Sequence, residues 1–119
     1  MIMIGSCLCK KIKIEVNLLS KNIHACFCGM CQKWSNGGLY VLEDGFFDEE
    51  SIISDKTFLS EFESSDIASR TFCNNCGTVV SYRTKQGKNY FNVGMFENVD
   101  FKISKIYDEN VNKKPAYLL

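Results

Sequence analysis

The sequence has little of several features that mark common protein classes. No stretch of its 119 residues approaches the roughly 18 consecutive apolar residues that a membrane-spanning helix needs. No segment combines a basic start, an apolar centre and a small-residue cleavage site, so no targeting signal is predicted. The formal net charge is zero, whereas nucleic-acid-binding domains usually carry a basic surface. We therefore expect a cytoplasmic protein with neither a nucleic-acid nor a membrane partner.

Length and composition predict one folded domain that spans residues 1–119. The chain is 45% hydrophobic and 24% charged, so it can bury a core. Its charge is unevenly spread, because residues 43–66 hold nine of the fourteen carboxylates and one cation, Lys56. We interpret this acidic segment as a solvated surface, with a docking face for a basic partner as the alternative.

The hydrophobic pattern predicts a mostly β fold. Between residues 11 and 18 the apolar side chains alternate with polar ones, as is typical of a half-buried strand: Ile12, Ile14, Val16 and Leu18. Further strands are predicted at 38–42, 57–62, 78–84, 90–96 and 101–107, with a hairpin turn at 87–89. Residues 32–36 are predicted to form a turn of helix. No long stretch shows the 3.6-residue period of an amphipathic helix.

Cysteine is abundant, and its seven copies fall into three groups. These are Cys7 and Cys9, then Cys26, Cys28 and Cys31, then Cys73 and Cys76. A disulfide scaffold would require a secretory signal and usually an even count, and both are missing. In a reducing compartment, clustered thiols are typical of metal sites. We expect zinc, because it favours tetrahedral thiolate ligands and because the spacing matches no familiar iron–sulfur pattern.

The spacing within each group has a physical reason. Residues i and i+2 of a strand point to the same side, so each C-x-C pair can direct both sulfurs at one metal. The intervening side chains, Leu8 and Phe27, are then predicted to enter the core. Cys73 and Cys76 are predicted to share a tight turn, in which Gly77 takes a positive φ and directs amide hydrogens at the sulfurs.

Seven thiolates cannot fill two closed four-cysteine sites. Joining the first and third groups gives one closed, structural site and leaves the middle group with three thiolates and an open position, as in a catalytic zinc site. Other partitions remain open, such as completion of the middle group by Cys76. A redox role for Cys73 and Cys76 would need a βαβ context, but a strand is predicted after the pair. We expect two zincs per chain, and the three-cysteine site can also be empty or oxidised.

Three motifs together resemble a known family. They are Gly5-Ser6-Cys7-Leu8-Cys9, Cys26-x-Cys28-x-Met30-Cys31-Gln32-Lys33-Trp34 and Arg70-x-Phe72-Cys73-x-x-Cys76-Gly77-Thr78. With them, and with Asn92-Val93-Gly94 and Lys114-Pro115-Ala116-Tyr117, the chain resembles the glutathione-dependent formaldehyde-activating enzymes, whose domain also occurs in centromere protein V. The resemblance covers about residues 5–117. The chain departs from the family in Lys10, where glycine is usual, and in Phe27, where histidine is common.

The resemblance implies a zinc-stabilised all-β domain of small twisted antiparallel sheets, of the type called a β-tent. It implies a structural zinc at Cys7, Cys9, Cys73 and Cys76, and an active zinc at Cys26, Cys28 and Cys31. The family's named activity joins glutathione to formaldehyde and gives S-hydroxymethylglutathione. We therefore expect a carbon–sulfur lyase whose partner is a small thiol or a thiol–aldehyde adduct. The alternative is a non-catalytic zinc module for protein interaction or metal sensing.

Three other residues are candidates for a supporting role. His24 is either a fourth ligand or general base, or a strand histidine with a satisfied hydrogen bond. Arg70 pairs either with a substrate carboxylate or with the acidic segment. Trp34 either walls the open site or is buried as part of the core.

Overall fold

The structure, a computed structural model, describes residues 1–43, 49–108 and 114–118 of the chain. Its regular elements are β1 (Ile2–Ser6), β2 (Lys13–Asn17), β3 (Ile23–Cys26), α1 (Gly29–Trp34), β4 (Leu39–Leu42), β5 (Leu59–Glu63), β6 (Ala68–Cys73), β7 (Val79–Thr84), β8 (Asn89–Phe91) and β9 (Ile103–Ile106). Short 3-10 helices lie at Glu49–Ser51, Lys56–Phe58 and Val93–Met95. The prediction of a mostly β fold is confirmed. Part of the predicted acidic surface, residues 44–48, lies outside the described residues.

The strands form three small sheets. Strands β1 and β2 make an antiparallel pair, the second sheet has the order β4-β3-β9, and the third has the order β5-β6-β7-β8. One pairing differs from the expected antiparallel pattern, because β9 lies parallel to β3. Parallel neighbours need a long connection between them, and here most of the chain lies between β3 and β9.

The main core lies between the inner face of β2 and the third sheet. The predicted alternation is confirmed, since Ile12 and Ile14 are 0% exposed, and Val16 and Leu18 are also buried. They pack in one cluster with Val80, Phe91, Met95 and Phe96. Cys7 and Cys73 belong to the same cluster, so the first and third cysteine groups border the core.

Several elements begin or end where local capping dictates. Strand β8 ends at Phe91, short of the predicted strand at 90–96, because the Asn92 side chain accepts a hydrogen bond from the N–H of Gly94 and starts a 3-10 helix. Helix α1 begins at Gly29, three residues before the predicted helical turn. Its N-cap is Cys28, whose sulfur accepts a hydrogen bond from the N–H of Cys31.

The turn between β7 and β8 contains Gly87 at a φ of 85°, in agreement with the predicted hairpin. Gly5 on β1 is required for a different reason, because its backbone packs closely against Met95 and Phe96. An added Cβ would lie 2.9 Å from the carbonyl oxygen of Met95 and from ring atoms of Phe96. Within the part of the chain that is described, no helix is both long and apolar enough to cross a membrane.

Candidate metal centres

The first and third cysteine groups converge on one point. The sulfurs of Cys7, Cys9, Cys73 and Cys76 all lie within 4.8 Å of one another. Those of Cys7 and Cys9 are 3.6 Å apart, and those of Cys9 and Cys73 are 3.7 Å apart. A tetrahedral zinc with Zn–S bonds of about 2.3 Å requires sulfur–sulfur distances of about 3.8 Å. This four-cysteine cluster therefore fits a closed tetrahedral thiolate site.

The backbone conformation around Leu8 differs from the predicted strand. Residues 7–10 form a turn after β1 rather than a strand, so Leu8 points outward and is 84% exposed. The prediction that Leu8 enters the core was therefore wrong. The turn is closed by a hydrogen bond of 3.1 Å from the N–H of Lys10 to the carbonyl oxygen of Cys7. Lys10 adopts a left-handed φ of 67°, a conformation that glycine adopts without strain.

The turn from Cys73 to Cys76 supplies the other two sulfurs. Gly77 has a φ of 82°, as predicted, but its N–H donates to the carbonyl oxygen of Cys73 rather than to a sulfur. Thr78 links the two turns, because its hydroxyl oxygen accepts a hydrogen bond of 3.1 Å from the N–H of Leu8. The same hydroxyl lies 3.2 Å from the sulfur of Cys76, to which it can donate.

The electrostatics of the four sulfurs differ. A hydrogen bond from the Asn75 side chain lowers the pKa of Cys9. Burial acts to raise the pKa of Cys76, but hydrogen bonds with Thr78 and Cys9 outweigh it and lower that pKa to about 5. Burial raises the pKa of Cys73 to about 11. The cluster without metal therefore mixes thiolates with thiols, and metal binding releases the remaining protons.

The middle group forms a second cluster. Cys26 ends β3, Cys28 caps α1 and Cys31 lies within α1, and their sulfurs are within 4.8 Å of one another. Phe27 is 4% exposed, so its predicted burial is confirmed. The side-chain amide of Gln32 donates a hydrogen bond of 2.7 Å to the carbonyl oxygen of Phe27 and fixes the intervening loop. The two clusters separate four cysteines from three, and Cys76 lies in the four-cysteine cluster.

One side of this three-cysteine cluster is accessible. Cys31 is buried, whereas Cys26 and Cys28 are half-buried. An added Cβ on Gly29 would meet no atom within 4 Å, and the neighbouring Met30 is 50% exposed. Among the described residues, no fourth cysteine, histidine or carboxylate completes the cluster. The arrangement can hold a metal on three thiolates and leave a coordination position for another ligand.

The three sulfurs share a polarised hydrogen-bond network. The hydrogen bond to Cys26 and burial raise the pKa of Cys31, while the guanidinium of Arg70 opposes that rise. The same hydrogen bond lowers the pKa of Cys26. A metal bound by the three sulfurs would require loss of the proton in this hydrogen bond.

A row of side chains across the third sheet forms the floor beneath this cluster. Strand pairing places Phe62 opposite Arg70, Arg70 opposite Tyr82, and Tyr82 opposite Tyr90. Directly opposed residues share a face of a sheet, so these four side chains form one cross-strand row. Tyr82 and Tyr90 pack against the small core that includes Cys31. The sequence spacing contains no sign of this row, because it depends on the register of four strands.

The three candidate supporting residues lie as follows. His24 is outside the cluster. Its Nε2 atom lies 3.2 Å from Oε1 of Glu43 but makes no hydrogen bond in the described structure, so the satisfied hydrogen bond of the strand-histidine interpretation is not found. Trp34 packs on Phe62 with a centroid distance of 5.8 Å and an interplanar angle of 14°. It is half-buried beside the floor rather than fully in the core.

Arg70 has neither of its predicted partners among the described residues. It is 2% exposed, so it is closed to a substrate carboxylate, and no described carboxylate pairs with it. Its two terminal nitrogens each lie 3.5 Å from the sulfur of Cys31. Neither predicted partner is found among the described residues, and Arg70 instead borders the three-cysteine cluster.

Comparisons with known proteins agree with this fold. A fission yeast protein, from Schizosaccharomyces pombe strain 972, is named an uncharacterized lyase and is 27% identical over 110 residues, which cover 88% of this chain and 78% of the relative. A crystal structure of a Rhodobacter sphaeroides protein superposes with a TM-score of 0.64 and 20% identity, covering 87% of this chain and 99% of that one. At that identity the superposition supports the fold alone.

The family comparison covers nearly the whole chain. The model of the family described as "Glutathione-dependent formaldehyde-activating enzyme" matches residues 2–110. The match includes all seven cysteines and both clusters. The chain therefore belongs to the family of glutathione-dependent formaldehyde-activating enzymes.

Proposed function

We propose that this protein is a zinc-dependent carbon–sulfur lyase that acts on thiol adducts of small aldehydes, of the S-hydroxymethylglutathione type. The observation that carries the proposal is the accessible three-cysteine cluster. Its sulfurs converge within 4.8 Å, and no fourth ligand among the described residues closes it. Family membership and the lyase name of the yeast relative support the same class of reaction.

The donor sets support zinc at both clusters. Four thiolates at near-tetrahedral separations suit a structural zinc that holds the turn after β1 to the turn after β6. Three thiolates with an accessible side suit a zinc that exchanges its fourth ligand, and we assign the catalytic role to Cys26, Cys28 and Cys31. A zinc bound there would supply the charge that keeps an incoming thiol in its thiolate form.

The proposed reaction is an addition and its reverse. In the addition, the thiolate sulfur donates an electron pair to the aldehyde carbon, the carbonyl π electrons move to oxygen, and that oxygen takes a proton from water. In the lyase direction hydroxide takes the proton of the adduct hydroxyl and becomes water, the carbonyl double bond re-forms, and the electron pair of the broken C–S bond returns to sulfur. The chain contributes mainly proximity and orientation, because the thiol and the aldehyde meet at one fixed place.

Tyr82 packs beside this site, as does Tyr90. Burial raises the pKa of Tyr82, so the phenol keeps its proton at neutral pH. It packs against the same small core as Cys26 and Cys28, and the wall of the site is therefore amphipathic rather than fully apolar. Such a wall suits a small polar adduct better than a hydrophobic ligand.

The test is the rate of exchange between formaldehyde and its glutathione adduct, measured by exchange NMR with the two-zinc protein. We expect a rate above that of buffer, and we expect Cys28→Ser to return it to the buffer rate while the four-cysteine zinc is kept. Arg83→Gln, on the same sheet but bound to Asn89 and Glu61, is the matched control and should exchange like the wild type. A wild-type protein with both zincs and no acceleration would contradict the proposal and favour a non-catalytic zinc module.

A further inference from the structure

Arg70 is a buried cation that contacts a cysteine sulfur and an aromatic ring rather than a carboxylate of the described residues. It is 2% exposed, and its two terminal nitrogens both lie 3.5 Å from the sulfur of Cys31. It also contacts the ring of Tyr82, whose centroid is 5.5 Å from the guanidinium carbon. The Nε atom is buried and makes no hydrogen bond within the described structure.

A guanidinium in this position requires a negative charge nearby. Burial of an unpaired ion costs several kcal/mol, and arginine does not lose its proton in proteins. The described residues include a contact between His24 and Glu43 and an ion pair between Arg83 and Glu61, and neither involves Arg70. Among the described residues, Arg70 therefore faces the three-cysteine cluster, which becomes negatively charged when its thiols ionise on binding a metal.

The floor of the site keeps the guanidinium in this direction. Arg70 is flanked on neighbouring strands by Phe62 and Tyr82, which lie directly opposite it in the two adjacent pairings. Trp34 covers the same side, stacked on Phe62 and edge-on to Phe72. Aromatic rings on these sides leave the sulfur of Cys31 as the polar partner of the two terminal nitrogens.

We propose that Arg70 is a positioning residue that supplies the counter-charge of the three-cysteine zinc site and thereby selects an anionic fourth ligand. Three thiolates and a divalent zinc sum to one negative charge, which the guanidinium cancels. A fourth ligand that arrives as a thiolate then meets a neutral site instead of a negative one. This inference rests on the proposed function, because it explains how that site accepts a thiol in its reactive form.

The test compares a charged and an uncharged ligand at the same site. Cobalt(II) replaces zinc as a coloured probe, and 2-mercaptoethanol and imidazole are titrated separately while the visible spectrum is recorded. In Arg70→Gln we expect the apparent Kd for 2-mercaptoethanol to rise about tenfold or more, because a nearby unit charge is lost. The Kd for imidazole should stay within about threefold, because imidazole brings no charge. The matched control Arg83→Gln should leave both values unchanged.

The pH dependence gives a second readout. Because 2-mercaptoethanol binds as a thiolate, its binding strengthens as the pH rises, and loss of the Arg70 charge should move that rise to higher pH. If Arg70→Gln does not fold, the same titrations are made with Arg70→Lys. The charge is retained, so the ratio of the 2-mercaptoethanol Kd to the imidazole Kd should stay within about threefold of the wild-type ratio, even where loss of the two-nitrogen contact weakens both ligands.

The results that would overturn the inference are distinct from those that would overturn the proposed function. Equal weakening of both ligands in Arg70→Gln would mean that Arg70 only supports the fold, and no weakening would mean that its charge is irrelevant. A loss of more than tenfold for 2-mercaptoethanol alone in Arg70→Lys would also contradict it. Tight, Arg70-dependent thiol binding without accelerated formaldehyde exchange would contradict the proposed function but not this inference. A wild-type chain that takes up only one cobalt would overturn both.

Discussion

The sulfur atoms of Cys9 and Cys73 lie 3.7 Å apart, although 64 positions of sequence separate them. Closing so long a loop costs conformational entropy, and the burial of a small core offsets only part of that cost. A structural zinc can contribute about 10–16 kcal/mol of binding free energy to folding, which is comparable to the whole stability of a domain. The four-cysteine cluster is thus expected to decide whether the chain folds.

We predict that Cys9→Ser abolishes cooperative folding at 37 °C, because it leaves three thiolates to close this long loop. Circular dichroism during heating, together with zinc content after gel filtration, measures the effect. Cys28→Ser is the matched control and should unfold cooperatively while retaining one zinc, because Cys28 belongs to the other cluster. Cooperative unfolding of Cys9→Ser at the wild-type temperature would disprove a structural role for the four-cysteine cluster.

Zinc should leave the two clusters at different rates. A mild chelator is expected to remove one zinc per chain quickly and the second only as the protein unfolds, because the three-cysteine cluster leaves a coordination position that a chelator can occupy, whereas the four-cysteine cluster is closed. Lower pH should favour release at both, since protons compete with the metal for the thiolates. A coloured zinc indicator follows both steps over time. Simultaneous loss of two zincs from folded protein would show that the clusters are not independent.

Gly5→Ala is expected to destabilise the protein by about 1–3 kcal/mol, the usual cost of overpacking a well-filled site. The new Cβ would lie 2.9 Å from a backbone oxygen, that of Met95, which cannot move aside as a flexible side chain could. Urea unfolding monitored by circular dichroism gives the free energy. Gly29→Ala, where an added Cβ meets nothing within 4 Å, is the control and should not be destabilised. Equal losses in the two variants would refute the packing argument.

Lys10→Gly is expected to stabilise the folded state by about 0.5 kcal/mol. The left-handed conformation, at a φ of 67°, destabilises the folded state by roughly 1–2 kcal/mol for lysine but by little for glycine. Glycine also makes the unfolded chain more flexible, which lowers the free energy of unfolding by about 0.4–1 kcal/mol. Lys10→Ala removes the side chain but keeps the backbone strain, so its stability should match that of lysine. The same urea experiment decides the matter, and identical stability of the glycine and alanine variants would argue against strain at this turn.

Much of the fold follows from local sequence patterns. The alternation of Ile12, Ile14 and Val16 was enough to identify β2 and its buried face. The parallel pairing of β9 with β3 could not be predicted, because it depends on contacts between distant segments that leave no periodic signal. Leu8 was misplaced because a C-x-C pair can bring its sulfurs together in a turn as well as in a strand, and the turn exposes the middle residue.

The sequence predicted the two cysteine clusters better than it predicted the residues around them. The count and spacing of the cysteines favoured the division into four and three, and the geometry agrees with it. Thr78 and Arg70 acquire their contacts through pairing between strands, so their partners could not be read from spacing.

Trp34 gives the chain a built-in optical reporter. It is the single tryptophan of the sequence and lies one helical turn after Cys31, on the same short helix. Its indole N–H is buried without a hydrogen bond in the described structure, and its ring is stacked on Phe62. Any rotation of α1 when Cys28 and Cys31 gain or lose a metal therefore changes the environment of the chain's one indole. Its fluorescence consequently reports on occupancy of the three-cysteine cluster without an added label.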